Sequence, residues 1–148
     1  MISALTDHLG YWARQLSNHV SQAFAQKLAT AGVTVAEWVM LRILHGAEPI
    51  APSALADEMG MTRGAITKLA DRMIARGLLV RSASQSDGRA QTLALTPAAA
   101  KLVPQLATLA DRNDAECFGH LSAGERATLR ALLVKSVAAL GISATPID

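Results

Sequence analysis

Residues Pro52 to Pro97 read PSALADEMGMTRGAITKLADRMIARGLLVRSASQSDGRAQTLALTP, and this stretch decides the fold. Apolar residues recur at helical spacing in two consecutive segments, with Gly60 between them. Pro52 suits the first turn of the first helix, because its missing N–H is not needed there. Thr62 is a good N-cap for the second helix, whose predicted inner face is Ile66, Leu69, Ala70 and Met73. Two helices joined by a short, glycine-containing turn indicate a helix-turn-helix.

A β-hairpin is predicted directly after the second helix, which should end at Gly77. Residues Leu78–Arg81 and Gln91–Leu95 are strand-like, and Ala83–Arg89 separates them. The Asp87-Gly88 pair within that connection is a strong hairpin-turn signal. A hairpin in this position is the wing of a winged helix-turn-helix.

The outer face of the second helix has the chemistry of a recognition helix. At one hundred degrees per residue, the positions opposite the inner face are Gly64, Thr67, Lys68, Asp71 and Ala75. Thr62 and Thr67 can hydrogen-bond bases or phosphates, and Lys68 is a point charge for phosphate. Arg63 can contact a base edge or a phosphate, and Gly64 permits close approach to DNA. The alternative is a solvated helix surface.

Arg89 stands beside the hairpin turn, where an arginine can enter the narrow minor groove of DNA. Asp87 cannot favour DNA by charge, so we expect it to orient Arg89 or an arginine of the second helix. Turn chemistry alone explains the Asp-Gly pair but not Arg89. Residues 61–89 carry a net charge of +4 within a chain total of +2. This distribution suits a polyanion-binding surface, although a solvated charged face would look the same.

Four helices are predicted outside the central stretch. Residues 5–30 form a long amphipathic helix, and Thr34–Glu37 is a capping box that opens the next helix. Thr96-Pro97 opens a helix that runs towards Gly119 and that Pro104 should kink or shorten. Ser122–Glu125 is a second capping box, which opens the last helix. The tail after Gly141 is expected to be mobile or loosely docked.

The apolar stripes on the first and the last two helices predict a homodimer. The three helices of a DNA-binding core cannot cover all of these apolar stripes. Pairing two copies of the chain across a two-fold axis would bury them. Two recognition helices would then lie roughly 34–36 Å apart, which is about one turn of DNA. The predicted architecture is mainly α with a small β-hairpin wing. It is a single domain, 1–148, with dimerisation helices at 1–33 and 98–141 and the winged helix-turn-helix lobe at 34–97.

Composition indicates a folded, soluble protein, and the residue pattern gives no sign of an enzyme. Of the 148 residues, 51% are apolar and 18% charged, which excludes a disordered chain and suits one domain. No membrane span or signal peptide is evident, so we expect a cytoplasmic protein without a membrane partner. No catalytic constellation or glycine-rich phosphate loop is present, and no cofactor is expected.

The single cysteine and the four histidines are interpreted as structural or surface residues. Cys117 excludes an internal disulfide, and its neighbours Asp114 and Glu116 disfavour a reactive thiolate. The histidine spacings match no metal-ligand motif, so no metal site is expected. A weak site where His120 approaches Cys117 and the two carboxylates is the alternative. The histidines are His8, His19, His45 and His120.

The chain resembles the MarR family of bacterial transcriptional regulators. The resemblance is carried by Thr62-Arg63-Gly64…Thr67-Lys68-Leu69-Ala70-Asp71-Arg72, Arg76-Gly77-Leu78-Leu79, Ser86-Asp87-Gly88-Arg89 and Leu95-Thr96-Pro97. It implies a winged-helix homodimer that binds pseudo-palindromic operators; members usually repress. The implied DNA-binding residues are Thr62, Arg63, Gly64, Thr67, Lys68, Arg72, Asp87 and Arg89. Many relatives carry further basic residues after the Asp-x-Arg, where this chain has Ala90-Gln91, so its wing should make fewer charged contacts.

The resemblance also implies control by a small molecule, because many members release DNA when a phenolic or anionic ligand binds. The residues that we expect to meet where the first two helices pack are Trp12, His19, Trp38 and Arg42. Aromatic side chains beside a cationic one would suit an aromatic carboxylate as the ligand. Ordinary packing is the alternative interpretation for both tryptophans. Two other hypotheses are a winged-helix dimer that acts by binding protein or a small molecule, and a thiol-based redox regulator. Oxidant-sensing branches place the reactive cysteine in the first helix, where this chain has none.

Overall fold

The computed structural model describes residues 1–84 and 90–148 and contains six α-helices and one β-hairpin. The helices are α1 (Leu9–Thr30), α2 (Val35–Leu44), α3 (Pro52–Met59), α4 (Arg63–Ala75), α5 (Pro97–Phe118) and α6 (Ala123–Ala139). The strands are β1 (Leu79–Ala83) and β2 (Gln91–Leu95), which pair antiparallel with Leu79 opposite Leu95 and Ala83 opposite Gln91. The mainly α winged architecture predicted from the sequence is therefore confirmed.

The core lies within the lobe formed by α2, α3, α4 and the hairpin. Ile66 and Met73 of α4 are completely buried against Met40 and Leu41 of α2 and Leu55 of α3 in a single apolar cluster. The C-terminal part of α1 and the first half of α5 close this cluster, through Leu28, Val103 and Leu106. The helical members of the cluster come from the inner faces of their helices, as the apolar periodicity requires, and Leu79 and Leu93 of the hairpin join them.

The hairpin is attached to the lobe by the segment that precedes α3. Ile50 forms an isolated antiparallel bridge with Leu93 of β2, with N–H to carbonyl distances of 3.0 and 2.8 Å. Leu93 is fully buried. The base of the wing is therefore held by the same connection that leads into the helix-turn-helix.

Three local features differ from the sequence prediction. The first helix begins at Leu9 and not at residue 5, because a short 3-10 turn, Leu5–Asp7, precedes it and His8 is extended between the two. Pro104 does not shorten α5, which continues past it to Phe118 although the proline removes one N–H and crowds the carbonyl four residues earlier. The tail after Gly141 is docked: the N–H of Thr145 donates to the Glu58 carbonyl at 2.9 Å, and Ile147 packs against the core.

A polar cluster joins α1 to α5. The Lys27 ammonium donates to the Asn113 side-chain oxygen at 3.0 Å and pairs with the Glu116 carboxylate at 2.8 Å. The Asn113 amide in turn donates to the Val20 carbonyl at 3.2 Å, which satisfies this buried side chain. The hydrogen bond from Lys27 holds the pKa of the Glu116 carboxyl below its ordinary value. These contacts fix the long first helix against α5.

Apolar side chains on α1 and α6 remain exposed in the single protomer. Leu132, Leu133 and Val137 are 45–56% exposed, and Leu9, Trp12 and Leu16 of α1 are also open to solvent. No residue of α6 is buried. In the described part of the chain, no helix is long and apolar enough to cross a membrane.

Candidate nucleic-acid interface

The turn between α3 and α4 has the geometry that the sequence predicts. Gly60 ends α3 in the left-handed region, at φ 62° and ψ 31°, and the Met61 N–H donates to the Ala56 carbonyl at 2.9 Å. Thr62 is extended, and its Oγ1 accepts a hydrogen bond from the Ala65 N–H at 3.1 Å. A left-handed residue followed by an N-cap redirects the chain within three residues. Helix α4 is thereby placed with its N-terminus at the surface.

Helix α4 separates its two faces cleanly. Ile66, Leu69 and Met73 are at most 3% exposed, whereas the opposite face is open to solvent. The exposed residues among those predicted to bind DNA are Thr62, Arg63, Gly64, Thr67, Lys68 and Arg72. A β-carbon built on Gly64 would meet no atom within 4 Å, so packing within the protein does not require glycine there. This small, polar and basic surface can lie against the floor and walls of a major groove.

The two threonines of this surface offer different hydrogen-bonding groups. Because Thr62 Oγ1 accepts from the backbone, its hydroxyl proton is available to donate, which suits a phosphate oxygen. The Thr67 hydroxyl instead donates to the Arg63 carbonyl at 2.9 Å and leaves its lone pairs free. Lone pairs accept from the amino groups of adenine or cytosine. The geometry therefore favours a phosphate contact for Thr62 and a base contact for Thr67.

An ion pair joins the recognition helix to the wing. Arg81 of β1 donates to the Asp71 carboxylate of α4 at 2.9 Å. The two side chains are 30% and 58% exposed, so the pair contributes at most about 1 kcal/mol to stability. It links the two elements and places a negative charge within the basic surface. The sequence did not predict this pairing, although opposite charges ten residues apart on two consecutive elements were a usable signal.

The wing is described only up to its tip. The Ser84 N–H donates to the Ala90 carbonyl at 2.8 Å and closes the hairpin. Asp87 and Arg89, which the sequence assigns to DNA binding, lie outside the described residues. Their roles stay predictions.

A second ion pair holds the end of α4 against the start of α2. Arg76 donates to the Glu37 carboxylate at 2.8 Å and to the Gly32 carbonyl at 2.9 Å. Glu37 is 5% exposed, and its other oxygen accepts the Thr34 N–H of the capping box. The capping box was predicted, but Arg76 as its partner was not, because 39 residues separate Arg76 from Glu37. Arg76 therefore fixes the C-terminal end of the recognition helix.

The four side chains predicted to surround an effector do not form a common pocket within one protomer. Trp38 packs edge-on against Phe24 of α1, with ring centroids 6.3 Å apart. Trp12 lies about 18 Å further along α1, stacks edge-on with Tyr11 and donates to the Thr6 carbonyl. His19 and Arg42 are exposed and do not line the groove beside Trp38. The spacing along α1 keeps Trp12 from the rings of Phe24 and Trp38.

No group of three or more histidine, cysteine or acidic side chains that could hold a metal ion is found among the described residues. Near the C-terminal end of α5, Glu116 is paired with Lys27. Cys117 is half-buried beside it. His120 is exposed after the end of α5. The arrangement offers no support for the alternative metal site near Cys117.

Comparison with known proteins identifies relatives over most of the chain. A family model described as the MarR family matches residues 31–90. A transcriptional regulatory protein assigned to the hcr operon of Thauera aromatica is 30% identical over 131 residues, which is 88% of this chain and 79% of that protein. A mutant of E. coli MarR in complex with operator DNA is 26% identical, with a TM-score of 0.77 over 87% of this chain and 93% of its own.

A further structure shares the fold at lower identity. It is Bordetella bronchiseptica BpsR, whose DNA binding is regulated by 6-hydroxynicotinic acid. The identity is 23%, with a TM-score of 0.79 over 92% of this chain and 97% of the BpsR chain.

Proposed function

The chain belongs to the MarR family of DNA-binding transcriptional regulators, and from this premise we propose that it is a homodimeric repressor of pseudo-palindromic operators. The observation that carries the proposal is α4, whose polar and basic face is exposed above a completely buried inner face. No catalytic role is proposed, and its site of action is the cytoplasm, where a bacterial operator lies. Release by a small effector is part of the proposal.

In the proposed complex the N-terminal half of α4 enters the major groove. Thr67 and Arg63 would contact base edges, while Lys68, Arg72 and Thr62 would hold phosphates. Arg89 at the wing would enter the adjacent minor groove, with Asp87 orienting an arginine. Phosphate contacts fix the register on the duplex, and base contacts supply the discrimination between sequences.

Homodimerisation is supported by the exposed apolar face of α6 together with that of α1. Leu133 and Val137 would cost free energy if they stayed in water, and pairing with a second copy removes them from it. A two-fold interface also places two α4 helices on one side of the DNA, with half-sites about 10 base pairs apart. The dimer is thus part of how the operator is recognised.

The groove beside Trp38 is the best candidate for the effector site. It encloses about 320 Å³, and Phe24, Val35 and Val39 line it together with Trp38. A volume of this size holds a small aromatic molecule. Trp12, His19 and Arg42 would contribute only through a neighbouring protomer, since they do not line this groove.

The proposal is tested by fluorescence anisotropy with a labelled duplex from the DNA that flanks the gene of this protein. We expect saturable binding that weakens linearly with the logarithm of salt concentration and that exceeds binding to a shuffled duplex by at least about 1,000-fold. Adding an aromatic carboxylate such as benzoate to the complex tests release. Equal affinity for both duplexes would refute sequence-specific regulation, and would favour a winged-helix dimer that acts through another ligand.

Lys68→Ala should lower the salt dependence of operator binding by about one unit of slope, because one phosphate contact releases about one counterion. The measurement is the anisotropy titration repeated at four salt concentrations. Lys101→Ala on the exposed side of α5 removes the same charge outside the predicted DNA-binding residues and serves as the matched control. An unchanged slope for Lys68→Ala would mean that this ammonium is only solvated.

Arg89→Ala should weaken operator binding by about 10-fold or more while the dimer and its helical content stay intact, since a base-edge or groove contact of an arginine is worth about 1–3 kcal/mol. Circular dichroism and the sedimentation coefficient check the fold and the dimer. Arg89→Lys keeps the charge but not the planar guanidinium, so it should recover only part of the affinity. Wild-type affinity in Arg89→Ala would remove Arg89 from the interface.

A further inference from the structure

The segment after α6 returns to the helix-turn-helix instead of extending into solvent. The Thr145 N–H donates to the carbonyl of Glu58, in the last turn of α3, at 2.9 Å. Ile147 is half-buried and packs against the apolar core. We call residues 144–147 the strap.

The strap satisfies a polar group that a helix end leaves without a partner. The last four carbonyls of any α-helix have no N–H within the helix. In α3, the Ala56 carbonyl is taken by Met61 and the Asp57 carbonyl by Gly60, while the Glu58 carbonyl is taken by Thr145. The strap thus supplies the partner of one more C-terminal carbonyl in the first helix of the DNA-binding motif.

The strap also lies directly against the turn. A β-carbon built on Gly60 would be 3.0 Å from the Ala144 β-carbon, which is closer than side chains normally pack. Gly60 is therefore required by its left-handed backbone and also by the approach of the strap. The contact joins the turn of the helix-turn-helix to the chain that leaves α6.

On its other side the strap lines the groove beside Trp38. Thr145 and Pro146 line the same groove as Phe24 and Trp38, at the junction of α1, α2 and α5. The strap therefore contacts α3, the turn between α3 and α4, and the groove where α1, α2 and α5 meet. It begins five residues after the end of α6, the helix whose apolar residues are exposed in the protomer.

We propose that the strap couples the dimerisation helices to the DNA-binding motif and closes the groove beside Trp38. While it is docked, α3 and the turn are held in one position relative to α1 and α5. When it leaves, the Glu58 carbonyl at the end of α3 loses its hydrogen-bond partner and the groove opens. A displacement of α6 or an occupant of the groove can therefore change the position of the motif through this segment. The effect on operator binding rests on the proposed function, whereas the docking itself does not.

Docking is tested by the fluorescence of Trp38 as the sole tryptophan, in a Trp12→Phe background. Ile147→Ala removes the anchor of the strap, so we expect acrylamide to quench Trp38 more strongly. Ile142→Ala makes the same truncation at an exposed position and should leave quenching unchanged. If Ile147→Ala and Ile142→Ala behave alike, the strap does not cover the groove and the proposal fails.

A second pair of variants approaches the strap from the turn. Gly60→Ala and Gly46→Ala both place alanine on a left-handed residue, but only the first adds a β-carbon beside the strap, since nothing lies within 4 Å at Gly46. We expect Trp38 quenching to rise in Gly60→Ala and to return towards wild type in the Gly60→Ala, Ala144→Gly double variant. No response to Gly60→Ala would contradict the contact.

Coupling is tested on the operator itself. With wild-type binding established, Ile147→Ala should lower operator affinity by about fivefold, the lower end of ordinary coupling between sites. Stronger Trp38 quenching with unchanged operator affinity would refute the coupling and leave the proposed function standing. Failure of the wild-type protein to bind any operator would instead refute the proposed function, and the quenching result would then report on the strap alone.

Discussion

Leu133→Asp should convert the protein from a dimer into monomers and lower operator affinity by about 100-fold or more. Leu133 lies on the apolar face of α6 and is 54% exposed in the protomer, so its replacement does not open the core. In a two-fold dimer the substitution occurs twice, and two carboxylates would be buried without partners. Each protomer would then bind one half-site, without the gain of about 10²–10⁴ that linked binding provides.

Sedimentation velocity gives the oligomeric state, and anisotropy gives the affinity. The matched control is Ala131→Asp, which introduces the same charge on the opposite, exposed face of α6. This variant should remain dimeric and bind as wild type. A dimeric Leu133→Asp protein with normal affinity would show that α6 does not form the interface.

Arg76→Ala should lower the free energy of unfolding by about 2–3 kcal/mol. Removing the guanidinium leaves the buried Glu37 carboxylate with only the Thr34 N–H as a partner. Breaking a buried pair costs about 3–5 kcal/mol, and we expect less because Arg76 is 41% exposed. The Gly32 carbonyl loses its donor as well. Urea unfolding at a fixed protein concentration measures the change.

Arg72→Ala is the control for this variant, because it removes the same side chain one turn earlier, from an exposed position. We expect its stability to stay within about 0.5 kcal/mol of wild type. Glu37→Gln in the Arg76→Ala background should recover part of the loss, since a neutral amide is less costly to bury than an unpaired carboxylate. If Arg76→Ala and Arg72→Ala are equally stable, the pair with Glu37 contributes nothing.

The features that the sequence predicts correctly are those whose determinants lie within a few residues of each other. The Thr34–Glu37 capping box, Pro52 at the start of α3, Gly60 in the turn and the Thr62 N-cap each need only local chemistry. The helical spacing of the apolar residues likewise predicts which face of α4 is buried and which is exposed. These signals place the recognition helix and its exposed residues without any knowledge of tertiary structure.

The features that the sequence does not predict join residues far apart in the chain. Nothing near Arg76 indicates Glu37, and nothing near Asn113 indicates the Val20 carbonyl 93 residues away. The tail after Gly141 has a composition typical of a loose end, and its docking depends on the Glu58 carbonyl, which is far away in the chain. The predicted effector residues stay a prediction for a related reason: Trp12 does not reach the groove beside Trp38 within one protomer, and the sequence alone does not show how far apart α1 holds them.

The Asp71–Arg81 pair bears on how fast a regulator finds its target. Affinity for random DNA comes almost entirely from phosphate contacts, and it sets how long the protein dwells at each wrong position. A carboxylate on the exposed face of α4, bound to a nearby arginine, cancels one positive charge where the duplex would touch. We therefore expect shorter dwell times on unrelated sequences, so that more dimers are free to sample the genome at any moment.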